Sequence, residues 1–153
     1  MRLCPVLEGY CGFPAASMPG AGAAGGMGAA AAALLGGTLT PGAEVLLHRA
    51  GFDELLSKAD LVITGEGRLD GQSRLGKVPF TVASRCKRAN VPCYALCGAL
   101  GPEAEALYAH GITAMFAASR GERDLALLRK TAASELKSLA ERVFSQPDFP
   151  IKP

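Results

Sequence analysis

The sequence predicts an α/β protein in which helices cover a parallel sheet. Short apolar runs alternate with longer helical segments over the second half of the chain, an order that favours a parallel sheet with helices on its faces. Leu61, Val62 and Ile63 are contiguous and partly β-branched, as is typical of a strand buried on both faces. Hydrophobic residues make up 49% of the chain but aromatic residues only 6%, so the core must rest on Ala, Leu and Val.

The elements follow from apolar spacing and from the residues that bound each segment. The first part is predicted to hold three short helical elements: 29–35 closed by Gly36 and Gly37, about 42–50 between Pro41 and Gly51, and a turn at 54–56 capped by Asp53. The second part is predicted to alternate: strand 61–64, helix 79–89, strand 93–97, helix 103–109, strand 112–117 and helix 124–144. The last helix repeats apolar residues every three or four positions and so has one apolar face: Leu125, Leu128, Ala132, Leu136, Leu139 and Val143.

A change in composition predicts a domain boundary near residues 51–60, where the Gly/Ala-rich segment gives way to regular α/β units. Residues 1–50 are expected to be the tail of one domain, and 51–146 the carboxyl-terminal half of an α/β domain. Residues 147–153 hold three prolines and are expected to form a loose tail.

Charge and hydropathy narrow the classes of partner. The net charge of +2 is small, and Lys and Arg form no run longer than two, so no nucleic-acid partner is expected. The tract from Gly20 to Gly37 is shorter than the roughly 20 apolar residues of a membrane helix and is broken by glycines, so no membrane partner is expected.

Cysteine usage predicts a reduced, cytoplasmic chain, because the five cysteines are odd in number and no secretion-signal pattern opens the sequence. Cys93 and Cys97 would share one face of a strand, with sulfurs roughly 13 Å apart. That separation is too large for one tetrahedral zinc ion, which favours buried, inert thiols.

A glycine-rich loop precedes the first helix. Gly20, Gly22 and Gly25 fit the G-x-G-x-x-G pattern of dinucleotide binding, and Gly26 follows. No strand precedes the pattern, which disfavours a nicotinamide site. Two interpretations stay open: the glycines allow close helix packing, or their backbone N–H groups form an anion site at a helix amino terminus.

Residues 71–78, Gly-Gln-Ser-Arg-Leu-Gly-Lys-Val, narrowly miss the phosphate-loop pattern G-x-x-x-x-G-K-[ST]. Val78 stands where a hydroxyl residue would hold magnesium, and Pro79 follows at once, so a Walker-type loop is not predicted. Lys77 either contacts a phosphate as a point charge or is a solvated surface lysine.

Charged residues crowd into the loop after the first predicted strand. Glu66, Arg68 and Asp70 alternate, so an extended loop would project all three to one side. Open α/β sheets bind ligands at this edge, the carboxyl ends of their strands. Phosphoryl transfer needs metal ligands, cations and a carboxylate that orients the attacking hydroxyl, and the loop offers these residue types. A surface salt-bridge cluster is the structural alternative.

Residues 19–28 and 59–73 together resemble the bacterial type (type 1) of glycerate kinase, in the order and the separation of both motifs. The similarity extends from about Pro19 to about Val143. It implies a Rossmann-like parallel sheet with flanking helices, present in part, preceded by a Gly/Ala-rich segment from a second α/β domain. Members of this family are more than twice as long, so the chain corresponds to their carboxyl-terminal portion and is expected to be a truncated gene, a fragment or one half of a split protein.

The resemblance implies ATP-dependent phosphorylation of D-glycerate to 2-phosphoglycerate, with Mg²⁺. Asp70 is expected to act as base or metal-organising carboxylate and Glu66 as Mg²⁺ ligand or partner of the substrate hydroxyl, and these two roles could be exchanged. Arg68 and Lys77 are expected to bind anions. The expected substrate- and phosphate-binding residues are Gly20, Gly22, Gly25, Gly26, Gly65, Gly67, Gln72, Ser73 and Lys77.

The expected partners are glycerate and ATP, together with a separate chain that supplies the missing amino-terminal half or a second copy in a homo-oligomer. Little activity is expected of the isolated chain, because a kinase cleft needs loops from both sides to position donor and acceptor. The alternatives to an active kinase are a non-catalytic remnant that retains an anion- or nucleotide-binding surface, and one subunit of a split kinase.

Overall fold

A computed structural model of the protein describes residues 3–71, 77–119 and 125–145. The chain divides into two compact units, Met1–Pro41 and Gly42–Pro153. The sequence-based domain assignment, with its boundary near residues 51–60, concerns the longer proteins of the resembled family and stays a prediction.

The first unit holds two helices, α1 (Leu3–Cys11) and α2 (Met27–Leu35), joined by the short 3₁₀ helices Ala15–Ser17 and Ala23–Gly26. Helix α1 was not predicted. Helix α2 begins two residues before the predicted start and ends as predicted, because Gly36 adopts a positive φ of 65° and the N–H groups of Gly36 and Gly37 both donate to the Ala31 carbonyl. The two helices share a small core with the segments between them: Cys4, Leu7, Ala15, Ala21 and Ala29.

The second unit alternates helices and strands. Its elements are α3 (Gly42–Arg49), α4 (Phe52–Leu56), β1 (Val62–Thr64), β2 (Arg68–Leu69), α5 (Val78–Ala89), β3 (Cys93–Cys97), β4 (Ala99–Leu100), a 3₁₀ helix (Ala104–His110), β5 (Ala114–Ala117) and α6 (Leu125–Phe144). Within the residues described, no helix is both long enough and apolar enough to cross a bilayer.

The predicted parallel sheet with flanking helices is confirmed. Strands β1, β3 and β5 pair side by side in that order, and both pairings are parallel. Val62 lies opposite Cys93, and Ala95 lies opposite Met115. A second, two-stranded parallel sheet joins β2 to β4. All carboxyl ends of β1, β3 and β5 therefore meet at one edge.

Strand β3 separates two apolar cores. Cys93, Ala95 and Cys97 face one of them, which α5 completes with Val82, Ala83 and Cys86. Tyr94 and Leu96 face the other, which α6 covers through Leu139 and Val143. The predicted alternation along this strand is confirmed, and both of its cysteines are buried as free thiols.

Asp53 does not cap the turn that follows α3. Gly51, in the left-handed region at φ 62°, is the residue before α4, and no side chain caps that helix. The Asp53 carboxylate accepts a hydrogen bond from Arg85 of α5 at 2.8 Å instead. The prediction of an Asp cap was wrong because a tertiary ion pair takes this carboxylate.

The predicted helix at 103–109 is a 3₁₀ helix, Ala104–His110, preceded by Glu103 at φ 58°. Among residues 126–144 of helix α6, the buried apolar side chains lie near the carboxyl end, because a 20-residue helix is roughly 30 Å long and exceeds the short strands below it. Leu139 and Val143 are buried, whereas Leu136 is 46% exposed and Ala132 is also exposed.

Candidate functional site

The loop that follows β1 is held against β3 by glycines. A Cβ atom at Gly65 would overlap the carbonyl oxygen of Leu96, and one at Gly98 would lie 2.5 Å from the carbonyl oxygen of Gly67. Only glycine permits this approach without a backbone shift. The glycines that follow β1 and β3 thus set how closely the two loops run together.

The loop after β1 runs beside the loop after β3. The Gly98 N–H donates to the Glu66 carbonyl at 3.0 Å, and the Gly101 N–H donates to the Leu69 carbonyl at 2.7 Å. Leu69 is fully buried between them, and strands β2 and β4 are the regular part of this pairing. The backbone on which the predicted site residues stand is therefore fixed by hydrogen bonds.

The four charged side chains predicted for this site form two ion pairs. Lys77 donates from Nζ to Glu66 Oε1 at 3.2 Å, with 45% of the Lys77 side chain and 18% of the Glu66 side chain exposed. Arg68 Nε lies 3.7 Å from Asp70 Oδ2, with 64% and 24% of the side chains exposed. The structure thus brings together Glu66 with Lys77, and Arg68 with Asp70.

These pairs match the salt-bridge alternative, but they do not exclude a ligand. A solvated ion pair typically contributes about 0–1 kcal/mol to stability. One charge-assisted hydrogen bond from the same cation to a phosphate or carboxylate of a ligand can offset the loss of that pair. Arg68 is the most exposed of the four and is the side chain that a ligand could reach with least rearrangement.

The Cys97 thiol lies beneath the loop at Glu66. Burial raises the pKa of this thiol, a hydrogen bond with the Glu66 backbone lowers it in part, and the charge of the Glu66 carboxylate raises it again. A thiol with a raised pKa stays neutral at neutral pH and is a poor nucleophile or metal ligand. Cys97 therefore supports the site loop by packing.

The loop after β3 brings further residues to the site that sequence analysis missed. A Cβ at Gly101 would lie 3.0 Å from Asp70 Cβ, and a Cβ at Gly71 would lie 2.5 Å from Glu103 Oε2. The Gly71 N–H donates to the Pro102 carbonyl at 3.0 Å. The glycine spacing could have indicated this second loop, because Gly98 and Gly101 follow β3 just as Gly65 and Gly67 follow β1.

Gln72 and Ser73, predicted to bind substrate or phosphate, lie outside the described residues, as does most of the near-miss phosphate loop. Lys77, at its end, is the residue before α5 and adopts an extended backbone. Pro79 lies in the first turn of α5, where its lack of an N–H costs no helical hydrogen bond.

The glycine-rich loop belongs to the first unit. Gly25 and Gly26 adopt φ angles of 72° and 95°, which side chains other than glycine rarely reach, whereas Gly22 has an ordinary φ of −77°. Gly20 also has a positive φ, 82°. Helix α2 starts directly after Gly26, with no side-chain cap.

A cleft of about 330 Å³ opens beside Gly20 and Gly22 in the same unit, with α1 on its other side. Glu8 lines it and accepts a hydrogen bond from the Ala16 N–H at 3.0 Å. A carboxylate in the cleft repels anions, so the part of the loop suited to an anion is the α2 start at Gly25 and Gly26.

The loop that follows β1, from Gly65 to Lys77, is called the site loop, and its carboxylates can be compared with the ligands that Mg²⁺ needs. No group of three His, Cys, Asp or Glu residues in the described ranges is arranged to hold a metal ion. Mg²⁺ is usually held by one or two carboxylates together with substrate phosphates and water, and Glu66 and Asp70 are the carboxylates that the described part of this loop contains.

Comparisons with known proteins converge on one family. A model of the glycerate kinase family matches residues 2–147. A glycerate kinase of Halalkalibacterium halodurans is 48% identical over 116 residues, which are 76% of this chain and 30% of that protein. A glycerate kinase of Bacillus cereus is 39% identical over 138 residues, 90% of this chain and 36% of that protein.

A crystal structure assigned as glycerate kinase 2 from Salmonella typhimurium LT2 superposes with a TM-score of 0.62 and 36% identity, covering 93% of this chain and 36% of that one. The chain therefore spans about a third of the length of the relatives it matches. It corresponds to their carboxyl-terminal portion, as the resemblance of the motifs predicted.

Proposed function

The chain belongs to the glycerate kinase family, and from that premise we propose that it carries part of the machinery for ATP-dependent phosphorylation of D-glycerate to 2-phosphoglycerate. One observation carries the proposal. The family match spans residues 2–147 and so includes a charged loop that stands at the carboxyl end of a parallel strand, the edge where such sheets bind ligands.

Asp70 and Glu66 are proposed as the carboxylates of the reaction. Both are only partly exposed, and both stand on a backbone pinned by hydrogen bonds to the loop after β3. A fixed carboxylate can accept the proton of an attacking hydroxyl or hold it in line with a phosphoryl group. One of the two carboxylates would accept the proton and the other would orient the hydroxyl, and either Glu66 or Asp70 suits either role.

Arg68 and Lys77 are proposed as anion binders. In the structure each neutralises a carboxylate of the same loop, and each keeps a large exposed fraction. A guanidinium can hold a carboxylate or phosphate with two parallel hydrogen bonds, and an ammonium acts as a point charge. Gly65 and Gly67, which precede Arg68 in the same loop, are proposed as further substrate- or phosphate-binding residues, and Gly20, Gly22, Gly25 and Gly26 are proposed to supply backbone N–H groups.

Mg²⁺ is proposed to accompany ATP, and bound Mg²⁺ neutralises phosphate oxygens during transfer. Glu66 and Asp70 would hold it. Gln72 and Ser73 remain proposed substrate contacts by their place in the matching motif.

The proposed activity involves residues that lie outside this chain, because the chain spans 30% to 36% of the length of its relatives. A cleft with one wall cannot align donor and acceptor, and alignment is worth orders of magnitude in rate. We therefore propose that activity requires the remaining portion, on the same polypeptide or on a separate one. The alternative is a chain that retains an anion- or nucleotide-binding surface and no catalysis.

A coupled assay of glycerate-dependent ATP consumption tests the proposal. The chain alone is expected to show little turnover, and addition of the amino-terminal portion of the Halalkalibacterium halodurans glycerate kinase is expected to raise it toward the range of about 1–100 s⁻¹ typical of kinases. The amino-terminal portion alone is the control. Absence of turnover in the mixture despite complex formation would favour the non-catalytic alternative.

A further inference from the structure

We propose that Cys86 and Cys93 form a modification site at which a hydroperoxide oxidises the two thiols to a disulfide. The pair lies at the amino-terminal end of β3, whereas the site loop follows the carboxyl end of the parallel strand β1. The two sites therefore lie at opposite edges of the sheet, and neither cysteine belongs to the proposed kinase machinery.

The connection between α5 and β3 places the two cysteines together. Asn90, just after α5, adopts φ 55°, and its N–H donates to the Cys86 carbonyl. The Val91 N–H donates to the same carbonyl at 3.0 Å. These bonds are those of a Schellman helix end, in which a residue in the left-handed region reverses the chain. Strand β3 begins two residues later, so the turn fixes the position of Cys86 relative to Cys93.

The two thiols are in direct contact. Their side chains form a hydrogen bond with each other, within the core between α5 and β3. Both cysteines are 0% exposed. Thiols in contact need only small side-chain rotations to reach the roughly 2.0 Å length of a disulfide bond. The bond can therefore form without moving α5 across the sheet.

Pairings within single elements do not compete with this one. Cys97 lies four residues beyond Cys93 on the same strand, so their Cα atoms are roughly 13 Å apart, and a disulfide spans at most about 7 Å. Cys4 and Cys11 lie seven residues apart on α1, roughly 10 Å along the helix axis. The contact of its thiol thus favours Cys93 as the partner of Cys86.

The contact also makes the two thiols chemically unequal. The hydrogen bond from Cys93 lowers the pKa of the Cys86 thiol, burial raises it in part, and a backbone hydrogen bond lowers it further. The same hydrogen bond raises the pKa of Cys93, and burial and the charge of Cys86 add to that increase. Since the thiolate is the nucleophilic form, Cys86 is the attacking residue and Cys93 the resolving one.

The step is a two-electron oxidation of the thiol pair. The Cys86 thiolate attacks one oxygen of hydrogen peroxide, the O–O bond breaks, and the departing hydroxide takes up the Cys86 proton as water, which leaves a sulfenic acid. The Cys93 sulfur then attacks the Cys86 sulfur, the S–O bond breaks, and the departing hydroxide takes the Cys93 proton. Two thiols and one peroxide thus give one disulfide and two molecules of water.

A cleft of about 410 Å³ gives the oxidant a route to the pair. Cys86 forms part of its lining, with Lys87, Asn90 and Gly111 among the other residues. Water occupies about 30 Å³ per molecule in the liquid, so the cleft has room for hydrogen peroxide. Because Cys86 has no exposed surface, the peroxide meets its sulfur during local openings of the cleft wall, and these require no global unfolding.

Peptide mapping of the oxidised chain tests the proposal. The reduced full chain is treated with hydrogen peroxide under native conditions, alkylated, and digested without reductant. Trypsin cleaves after Lys87 and chymotrypsin after Tyr94, so the peptides of Cys86, Cys93 and Cys97 are separate in the mass spectrum. A peptide pair linked through Cys86 and Cys93 is expected, in at least tenfold excess over any link to Cys97, and dithiothreitol should release it.

Two variants that remove a buried thiol of β3 sharpen the test. Cys93→Ala removes the resolving thiol, so peroxide should leave a Cys86 sulfenic acid, and its labelling by dimedone should exceed that of the parent at least tenfold. Cys97→Ala is the matched control and should leave the rate of linkage between Cys86 and Cys93 within about twofold. Circular dichroism checks that both variants are folded, and the peptide map of the parent chain decides the outcome if one is not.

A folded, peroxide-treated chain without the Cys86–Cys93 link would overturn the proposal. A link that forms only in urea, or oxidation confined to the exposed Cys11, has the same meaning. Equal dimedone labelling of Cys86 in the parent and in Cys93→Ala would contradict the resolving role of Cys93. These measurements use neither glycerate nor ATP, so their outcome is independent of the proposed function.

Discussion

At the scale of single residues, the four charged side chains proposed for the site are paired with one another. Glu66 contacts Lys77, and Asp70 contacts Arg68, so each carboxylate has a cation beside it. All four are at least partly exposed, and none is committed to a core. Substitutions here should therefore affect ligand binding and chemistry more than folding.

Asp70→Asn tests the proposed catalytic carboxylate, in the chain complemented by the amino-terminal portion of a relative. The amide keeps the size of the side chain but removes its charge, so turnover should fall about 100- to 10,000-fold. Thermal stability should stay within roughly 1 kcal/mol of the parent. Glu105→Gln, an exposed carboxylate on the 3₁₀ helix, is the matched control. Near-parental turnover of Asp70→Asn would leave the salt-bridge alternative as the better account.

Gly65→Ala tests the close approach of the two loops. The new Cβ would overlap the Leu96 carbonyl oxygen, which is backbone and cannot swing aside, so destabilisation of about 2–3 kcal/mol is expected. Gly67→Ala is the control, because a Cβ there meets no atom within 4 Å in the described structure. Its effect should be within about 0.5 kcal/mol. Equal unfolding free energies of the two variants in urea would contradict the packing argument.

At the scale of elements, one arginine ties three helices together. Arg85 of α5 donates from Nη1 to Asp53 of α4 at 2.8 Å and from Nη2 to Glu44 of α3. Its side chain is 10% exposed, and its Nε has no hydrogen-bond partner in the described part of the chain. The hydrogen bond with Glu44 raises the pKa of Arg85, which stays charged at every accessible pH.

Arg85→Met should therefore loosen α3 and α4 selectively. The methionine keeps much of the apolar stem but removes both ion pairs, and the midpoint of thermal unfolding should fall by about 2–6 °C. Hydrogen exchange over 42–56 should accelerate more than exchange in β3. Arg88→Met, an exposed arginine on the same helix, should change neither measurement. Uniform acceleration across the second unit would contradict a local role.

The sequence predicted elements where the signal is local. Strand 93–97 follows from a short run of apolar residues, and the carboxyl end of α2 follows from Gly36, and both occur as expected. Strands β2 and β4 were missed because each has only two residues and exists through pairing with the other, a contact between distant parts of the chain. The Asp53 cap failed for the same reason, since its partner Arg85 lies 32 residues away.

At the scale of the whole molecule, the chain consists of two units with separate cores. The core of the first unit draws on residues between Cys4 and Ala29, and those of the second on residues between Leu56 and Val143. The second unit is within the usual size range of a domain and contains both layers of helices around its sheet.

A chain that starts at Gly42 should therefore fold. Its far-UV circular dichroism should show mixed α/β structure, and the amides of β3 should exchange as slowly as in the parent, within about threefold. Its thermal transition should remain cooperative. Loss of that transition, or fast exchange throughout β3, would show that the first unit is required for the second to fold.

The glycine contacts at the site loops are reciprocal, and this constrains how the protein can vary. Gly65 lies against the carbonyl of Leu96 at the end of β3, and Gly98, just after β3, lies against the carbonyl of Gly67, so each segment supplies one glycine and one carbonyl to the other. A side chain added at Gly65 or at Gly98 displaces the neighbouring backbone. The two segments therefore constrain each other's sequence. A library that varies residues 65–67 alone should yield few folded members, whereas paired changes that include residues 96–98 should be tolerated.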